Sequence, residues 1–432
     1  MSRSNSLAYV LSGGEGTRLH PLTKNRTKPA VPFGGSYRVI DFVLSNLHHS
    51  GIRRIYVLTQ YEHTSLHEHI NSGWKPRFGL GGDGVLEIMP PVLKRLDDGS
   101  LSIGYRGTAG AIANNANIIE NWTPEFVDIF SGDHVYLMDV SKMNDYHLDK
   151  KADLTISTIK VRKEVAAKNF GIVAVDKNFK VVGFEEKPEN PTPLPGDEDF
   201  CLASMGNYTF NPKTLLEELE MDSAKEYSED RSKIAQNPSR FSSYDFGFDV
   251  IPAMLRKGRK IFAYDFTEEL VPGAVDDERG FWRDIGNLDQ FYDANMEMRQ
   301  VTPPLNLYNS KWPVLTYVLS PQPAKFVGAE KDYPGVALES IVANGSIVSH
   351  SNVQRSVLSY NCHVEGAQIY DSILLGDNVV QPGSLIRRAI LDKNVIVPKG
   401  ETIGVDLEKD LSRGFTISQG GIIVVPRGYK FS

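Results

Sequence analysis

Up to about residue 300, short apolar runs alternate with stretches whose apolar positions recur at helical spacing. Ile55-Tyr56-Val57-Leu58, Val127-Asp128-Ile129-Phe130, Leu154 to Ile159 and Lys260 to Tyr264 read as strands. Strands separated by helices predict an α/β, Rossmann-like, mostly parallel sheet. Ligands bind such sheets beyond the carboxyl ends of the strands. Glycine-rich and polar segments at 76–84 and 188–199 interrupt the pattern and are expected to be active-site loops. The catalytic domain is therefore placed at 1–300. Residues 301–330 carry Pro303, Pro304, Pro313, Pro321 and Pro323, a density that predicts an extended, semi-rigid linker. From 331 to 432 the pattern changes. Ile373, Val379, Leu385, Leu391, Val397 and Ile403 recur every six residues, and Ile341, Ile347 and Val353 share that spacing in an earlier phase. Amphipathic strands alone would show a period of two. A period of six predicts a hexapeptide β-helix in which these residues point inward and each coil buries its apolar face on the next.

Composition changes this picture little. The chain of 432 residues is long enough for two domains, and its 41% hydrophobic and 23% charged content is ordinary for a globular protein. A net charge of −7 argues against sequence-independent nucleic-acid binding. The two cysteines, Cys201 and Cys362, do not make a disulfide framework and suit a reducing compartment. The apolar run Leu7 to Leu11 is too short for a signal core or a membrane span. The expectation is a cytoplasmic protein with no membrane partner.

The candidate chemistry begins at Leu11-Ser12-Gly13-Gly14-Glu15-Gly16-Thr17-Arg18. An apolar strand enters a glycine-rich turn whose backbone N–H groups can hold phosphate oxygens, with Arg18 able to fork onto two of them. The loop lacks both the Gly-Lys-Ser/Thr ending of a P-loop and the third glycine of the dinucleotide motif. By itself it could be a tight turn with a surface arginine. Lys28, before Pro29, adds a second cation for the same phosphates. Asp133 follows the strand ending at Phe130, where a carboxylate can hold Mg²⁺ beside a triphosphate, and Asp284 in Trp282-Arg283-Asp284 could join it. The competing readings are a helix cap for Asp133 and an ion pair with Arg283 for Asp284. Lys187, in Glu185-Glu186-Lys187-Pro188, is biased to extended backbone by the proline and could bind a phosphate monoester while a glutamate accepts sugar hydroxyls. A solvated charge run is the alternative. His63, His67 and His69 lack the spacing and softer ligands of a zinc site. The strip Trp74 to Phe78 is too short to argue for nucleic acid.

These segments, together with Ile40 to Asn46, Tyr105-Arg106-Gly107-Thr108-Ala109, Ala203 to Gly206, Trp282 to Gly286 and Pro323 to Phe326, closely resemble the bacterial glucose-1-phosphate adenylyltransferases over essentially the whole chain. The resemblance implies a nucleotidyltransferase domain followed by a left-handed parallel β-helix, a homotetramer, and conversion of ATP and glucose 1-phosphate to ADP-glucose and pyrophosphate with Mg²⁺, for glycogen synthesis. Gly13, Gly14, Gly16, Thr17, Gln60, Gly107 and Thr108 then fall in the nucleotide site. Arg18, Lys28, Asp133 and Asp284 are catalytic, the two aspartates holding the metal. Tyr105, Gly171, Glu186, Lys187, Ser204 and Asp245 match the glucose 1-phosphate site. Relatives respond to anionic metabolites through basic residues, for which Arg38, Arg53, Lys393, Arg413 and Arg427 are the candidates. Gly104, Gly110 and Phe248 stand where relatives often have Trp, Asp and Lys. The competing classes are another sugar-nucleotide pyrophosphorylase, a non-catalytic regulatory subunit of the same fold, and a β-helix acyltransferase.

Overall fold

The computed structural model describes residues 5–60, 64–79, 84–91, 94–95, 101–102, 104–317, 322–328 and 334–431. Nine strands form the central sheet: β1 (Ser6–Ser12), β2 (Arg54–Thr59), β3 (Val85–Met89), β4 (Phe126–Ser131), β5 (Leu154–Arg162), β6 (Gly171–Val175), β7 (Val181–Glu186), β8 (Phe200–Phe210) and β9 (Ile261–Asp265). Their order is β7-β6-β8-β4-β1-β2-β3, with β5 pairing both β8 and β9. The strands β3, β2, β1 and β4 are mutually parallel and make the core that the alternation predicts. An antiparallel extension, β8, β6 and β7, widens it on one side.

Strand β1 shows why the centre is stable. Leu7 and Tyr9 face one hydrophobic cluster, and Ala8 and Val10 face the other; all four are fully buried. Burial on both faces is the condition under which a parallel strand reads as a continuous apolar run. Five helices matter below: α1 (Val39–His49), α2 (Gly107–Ala113), α3 (Val140–Lys150), α4 (Arg231–Gln236) and α5 (Leu288–Glu297).

Residues 303–317 are not a free spacer. Leu305, Trp312 and Val314 are buried, Leu315 N–H donates to Ser45 Oγ at 2.8 Å, and Thr316 Oγ1 donates to Asp41 Oδ2 at 2.6 Å. The segment runs through bends and turns to residue 312 and is extended only at 313–317, and its apolar side chains pack on the first domain, so it is a strap and not the extended linker expected. The β-helix already begins at Lys325–Val327, which pairs with Ile347–Ser349. Pro321 lies outside the described residues.

The β-helix stacks three parallel sheets, one per face. Val348, Val364, Val380 and Val397 lie in register on one face, Val353, Ile369, Ile386 and Ile403 on the second, and Leu358, Leu374, Leu391 and Val425 on the third. All are buried in one cluster. The expected strict spacing of six is corrected on two counts. Register partners stand sixteen residues apart at Val348↔Val364 and seventeen at Val380↔Val397, because several corners are one residue short and turn through positive φ, as at Arg355, Asp371 and Arg388. The inward positions hold at Val353, Leu391, Val397 and Ile403 but slip by one at Ile341, Ile347, Ile373, Val379 and Leu385. Val379 points outward and Leu385 is half-buried, while Val380 and Ile386 are the inward residues. Ile373 is buried, but on the outer surface: Val357, Ile373, Ile390 and Val424 form a register ladder that packs with Phe33, Phe42 and Phe291 of the first domain. Where both faces of a strand are covered, hydrophobicity no longer marks the inner one.

That ladder welds the domains together. Arg26 and Asp392, both nearly inaccessible to solvent, form an ion pair across the junction, and Tyr292 on α5 donates to the Asp371 carbonyl at 2.7 Å. No helix among the described residues is long and apolar enough to cross a membrane.

Candidate active site

A single cavity of about 600 Å³ opens above the carboxyl ends of β1 and β4. Gly13, Gly14, Gly16, Thr17, Arg18, Lys28, Gln60, Tyr105, Gly107, Thr108, Asp133, Glu186 and Asp245 all line it. The loop leaves β1, runs through Gly16 at φ 62° and closes in a 3₁₀ turn, Thr17–Leu19, with Thr23 Oγ1 donating to the Gly16 carbonyl at 2.7 Å. A glycine is required at 16, since a left-handed residue there would also crowd Thr23 and Lys28. No long helix follows, so the loop's own N–H groups and Arg18 are what it presents.

Asp133 and Asp284 converge. A two-stranded ribbon, His134–Tyr136 against Trp282–Asp284, pairs Asp284 directly with His134 and so brings the two carboxylates together. Lys28 Nζ donates to Asp133 Oδ2 at 2.8 Å and to Asp284 Oδ1 at 2.9 Å. The sequence paired Lys28 with phosphates; the structure places its ammonium between the two acids. One ligand atom each from Asp133, His134 and Asp284 fits within 4.8 Å. Burial works against the Asp133 charge, but the Lys28 ammonium, His134 and the Ser131 hydroxyl outweigh it and hold this carboxyl well below the usual range. Burial likewise opposes the Lys28 charge, and the two carboxylates reverse it, raising the ammonium above its ordinary value. Neither competing reading holds: Asp133 caps no helix, and Arg283 pairs with Glu297 at 3.0 Å instead of with Asp284. Two hard carboxylate oxygens already gathered around a cation are a donor set that fits Mg²⁺.

A second group lies at the β7 edge of the cavity. Strand alternation separates the two glutamates: Glu185 accepts from Thr192, while Glu186 lines the cavity. Asp245 accepts from Thr108 Oγ1 at 3.0 Å and from Phe248 N–H at 3.0 Å. Burial and then the Asp245 charge raise the Glu186 carboxyl, with Lys187 and Arg231 pulling it back. Gly171 lies behind Glu186; a Cβ there would come within 2.8 Å of the Phe184 ring and 3.2 Å of Glu186 Oε2. Lys187 Nζ sits 3.7 Å from Glu186 Oε1. Its backbone is left-handed, φ 50°, and not extended as the following proline suggested. Ser204 does not line the cavity and accepts from Gly206 N–H at 3.2 Å.

Tyr105 joins the Gln60 side of the cavity. Its N–H donates to Gln60 Oε1 at 3.2 Å and its hydroxyl to the Pro90 carbonyl at 3.0 Å. Gly104 has φ 124°, and a Cβ would lie 2.8 Å from Gln60 Nε2, so glycine here follows from the close approach to Gln60. The sequence reading missed Gly247 and Gly286. A Cβ at Gly247 would sit 3.0 Å from Glu186 Oε2 and 3.4 Å from Asp245 Oδ1; at Gly286 it would sit 3.5 Å from Asp284 Oδ2 and 3.6 Å from Arg18 Nη1. Each follows a named aspartate in a Gly-containing motif, the one signal available.

Other expectations resolve as packing. The segment 188–199 does not line the cavity, and residues 80–83 of the segment 76–84 are outside the described residues, as is His63. His69 Nε2 pairs with buried Asp41 at 2.6 Å, which also accepts from Trp74 Nε1 at 2.7 Å. Trp74 and Phe78 belong to the core. Of the five basic candidates, Arg38, Lys393 and Arg427 gather with Arg26 at the domain junction. Burial first, then Arg38, Arg26 and Arg427, lower the Lys393 ammonium, and burial also brings the Arg38 guanidinium down to about 10. Arg53 donates to the His48 carbonyl at 2.7 Å, and Arg413 pairs with Glu401 at 2.7 Å; neither is among the charges that act on Lys393.

A parallel α/β core with a glycine loop, two convergent carboxylates and an appended β-helix defines a nucleotidyl-transfer enzyme. Residues 7–301 match the nucleotidyl transferase family, and residues 322–425 match the GlmU-like C-terminal hexapeptide family, in keeping with a left-handed β-helix. Similar proteins include glucose-1-phosphate adenylyltransferases from Trichlorobacter lovleyi, 44% identical over 98% of this chain and 97% of the relative, and from Thermus thermophilus, 43% identical over the full length of both. One from Deinococcus radiodurans is 41% identical over 98% of this chain and 99% of its own. The chain belongs to the glucose-1-phosphate adenylyltransferase family.

Proposed function

We propose that this protein transfers the adenylyl group of ATP to α-D-glucose 1-phosphate, giving ADP-glucose and pyrophosphate, the glucosyl donor then serving glycogen synthesis. The observation that carries this is the convergence of Asp133 and Asp284 around Lys28, beside a cavity lined by Lys28, Asp133, a phosphate-type loop and the Glu186–Asp245 pair.

A phosphate oxygen of glucose 1-phosphate attacks the α-phosphorus of ATP. A new P–O bond forms as the bond to the β-phosphate oxygen breaks, and pyrophosphate leaves. The chain forms no covalent bond; it positions the reactants and neutralises charge. The Gly13–Arg18 loop holds the leaving group, and Arg18 stabilises the charge that grows on it. Lys187 orients the attacking phosphate, while Glu186 and Asp245 accept from sugar hydroxyls. Gln60, Tyr105, Gly107 and Thr108 shape the nucleotide end. Asp133 and Asp284 would hold Mg²⁺, which when bound neutralises phosphate charge.

Two further features belong to the same reading. The basic group Arg26, Arg38, Lys393 and Arg427 takes an anionic metabolite that regulates the enzyme; the half-buried, mutually repelling Arg38 and Lys393 support this. The protein works as a cytoplasmic homotetramer. In support, Val379 and Ile396, neighbours in register on the outer face of the β-helix, remain exposed at 36% and 57%.

The test is a set of initial rates of pyrophosphate release with ATP, UTP, dTTP or GTP, each with glucose 1-phosphate. ATP is expected to give the highest kcat/KM and ADP-glucose as product. Absence of turnover, or a clear preference for another base, would overturn the assignment.

A further inference from the structure

The resemblance places Thr108 at the nucleotide, yet the structure commits its hydroxyl to Asp245, at the sugar end of the cavity. Thr108 Oγ1 donates to Asp245 Oδ2 at 3.0 Å and accepts from the Phe246 N–H at 3.0 Å. A hydroxyl has one proton to give, and this one is spent on Asp245. Both Thr108 and Asp245 line the cavity, and both are half-buried.

The backbone on both sides holds this contact in place. Thr108 is the second residue of α2, and the next two N–H groups, of Ala109 and Gly110, donate to the Tyr244 carbonyl at 2.8 Å and 3.2 Å. Tyr244 stands in the left-handed region at φ 57°, which a bulky residue adopts only where its surroundings enforce it. Its hydroxyl is tied to the Lys225 carbonyl at 2.7 Å. A Cβ on Gly107 would lie 2.1 Å from the Tyr244 carbonyl oxygen, so this approach requires glycine there. On the far side of Asp245, the Phe248 N–H donates to Oδ1 at 3.0 Å. The Phe248 ring itself lies outside the cavity, in a separate pocket with Ile234 of α4, its centroid 4.7 Å from the Arg231 guanidinium carbon. Each oxygen of Asp245 therefore has one donor from the protein and keeps a second acceptor direction for a ligand hydroxyl. An acceptor already fixed in direction discriminates hydroxyl positions, whereas one that rotates does not.

We propose that Thr108 is the positioning residue that fixes Asp245 for a glucose hydroxyl, and that its side chain thereby sets selectivity for the sugar and not for the nucleotide. This rests on the adenylyl-transfer reading and deepens it.

The experiment is steady-state kinetics with the full-length enzyme, varying ATP and sugar phosphate separately, for wild type, Thr108→Val and Thr108→Ser, with glucose 1-phosphate and with its monodeoxy analogues. Thr108→Val is expected to raise KM for glucose 1-phosphate about tenfold, the loss typical of a hydrogen bond to a charged group, with a smaller change in KM for ATP and little change in Tm. Thr108→Ser keeps the hydroxyl and recovers most of the loss. For the analogue lacking the hydroxyl that Asp245 accepts, the penalty seen in wild type shrinks in Thr108→Val, because both changes remove the same contact. A KM for glucose 1-phosphate within about twofold of wild type in Thr108→Val overturns the proposal. So does a rise confined to ATP, which returns the hydroxyl to the nucleotide, and so do penalties that add for every analogue, which mark a merely structural role. If wild type itself does not turn over glucose 1-phosphate, the adenylyl-transfer reading fails and this one falls with it.

Discussion

Single residues around the cavity are there because of the space or charge they leave, and Gly171 is the clearest case. Its missing Cβ is the room in which the Phe184 ring and the Glu186 carboxylate sit. Gly171→Ala is therefore expected to displace the Phe184 ring, and the Glu186 carboxylate behind it, raising KM for glucose 1-phosphate by about tenfold with a small fall in Tm. Steady-state kinetics with a thermal melt checks this. At this scale the sequence was informative wherever a motif concentrates unusual chemistry. Gly13 to Arg18, Asp133, Glu186 and Asp284 were all legible. It was misleading where backbone context decides: the proline after Lys187 suggests extended backbone, yet Lys187 is left-handed.

Elements position these residues, and α3 shows how their burial couples to pH. His147 on α3 is buried against Thr155 Oγ1 at 2.9 Å and edge-on to Phe126, and burial lowers its imidazole to about 4 despite the Asp153 charge. Below its ordinary value of 6.5 the unfolded chain takes up a proton that the folded chain refuses. Stability from this group is complete above that value and falls as pH drops toward about 4, by roughly 3 kcal/mol over the whole window. Asp128 beneath the same helix acts in the opposite sense. Burial pushes its carboxyl up to about 6 even though Ser6, Thr209 and Asn144 donate to it, so the folded chain retains a proton that the unfolded chain loses as pH rises from 3.8. Tm measured from pH 7 to pH 5 should fall less steeply in His147→Gln than in wild type, and more steeply in Asp128→Asn. Equal slopes in all three would remove both groups from the account. Element types followed directly from periodicity, and strands such as Val127–Phe130 differ from the observed Phe126–Ser131 only at their ends. The phase of the β-helix did not follow, because Ile373 and its neighbours are apolar on the outer face as well as the inner.

Across the whole molecule, the junction makes two sequence-distant domains one body. Arg26 and Asp392 are nearly fully buried, and among the described residues neither Arg26 Nε nor Asp392 Oδ2 finds a further partner. Arg26→Met strands a buried carboxylate and should cost about 3–5 kcal/mol, seen as a lowered denaturation midpoint, while adding Asp392→Leu should restore most of it. A midpoint unchanged by Arg26→Met would show that the pair does not hold the domains. The same long-range economy builds the active centre, since Asp133 leaves the sheet core and Asp284 returns to it more than a hundred residues later on the partner strand of a short ribbon. The account's central claim is that these two carboxylates act as one unit. Pyrophosphate release from ATP and glucose 1-phosphate, measured for Asp133→Asn, Asp284→Asn and the double variant, tests it most directly. Each single variant should fold normally and lose on the order of 10²–10³ in kcat, and the double variant should be no worse than the poorer single one. Losses that multiply in the double variant, or near-normal turnover in either single one, would contradict the claim.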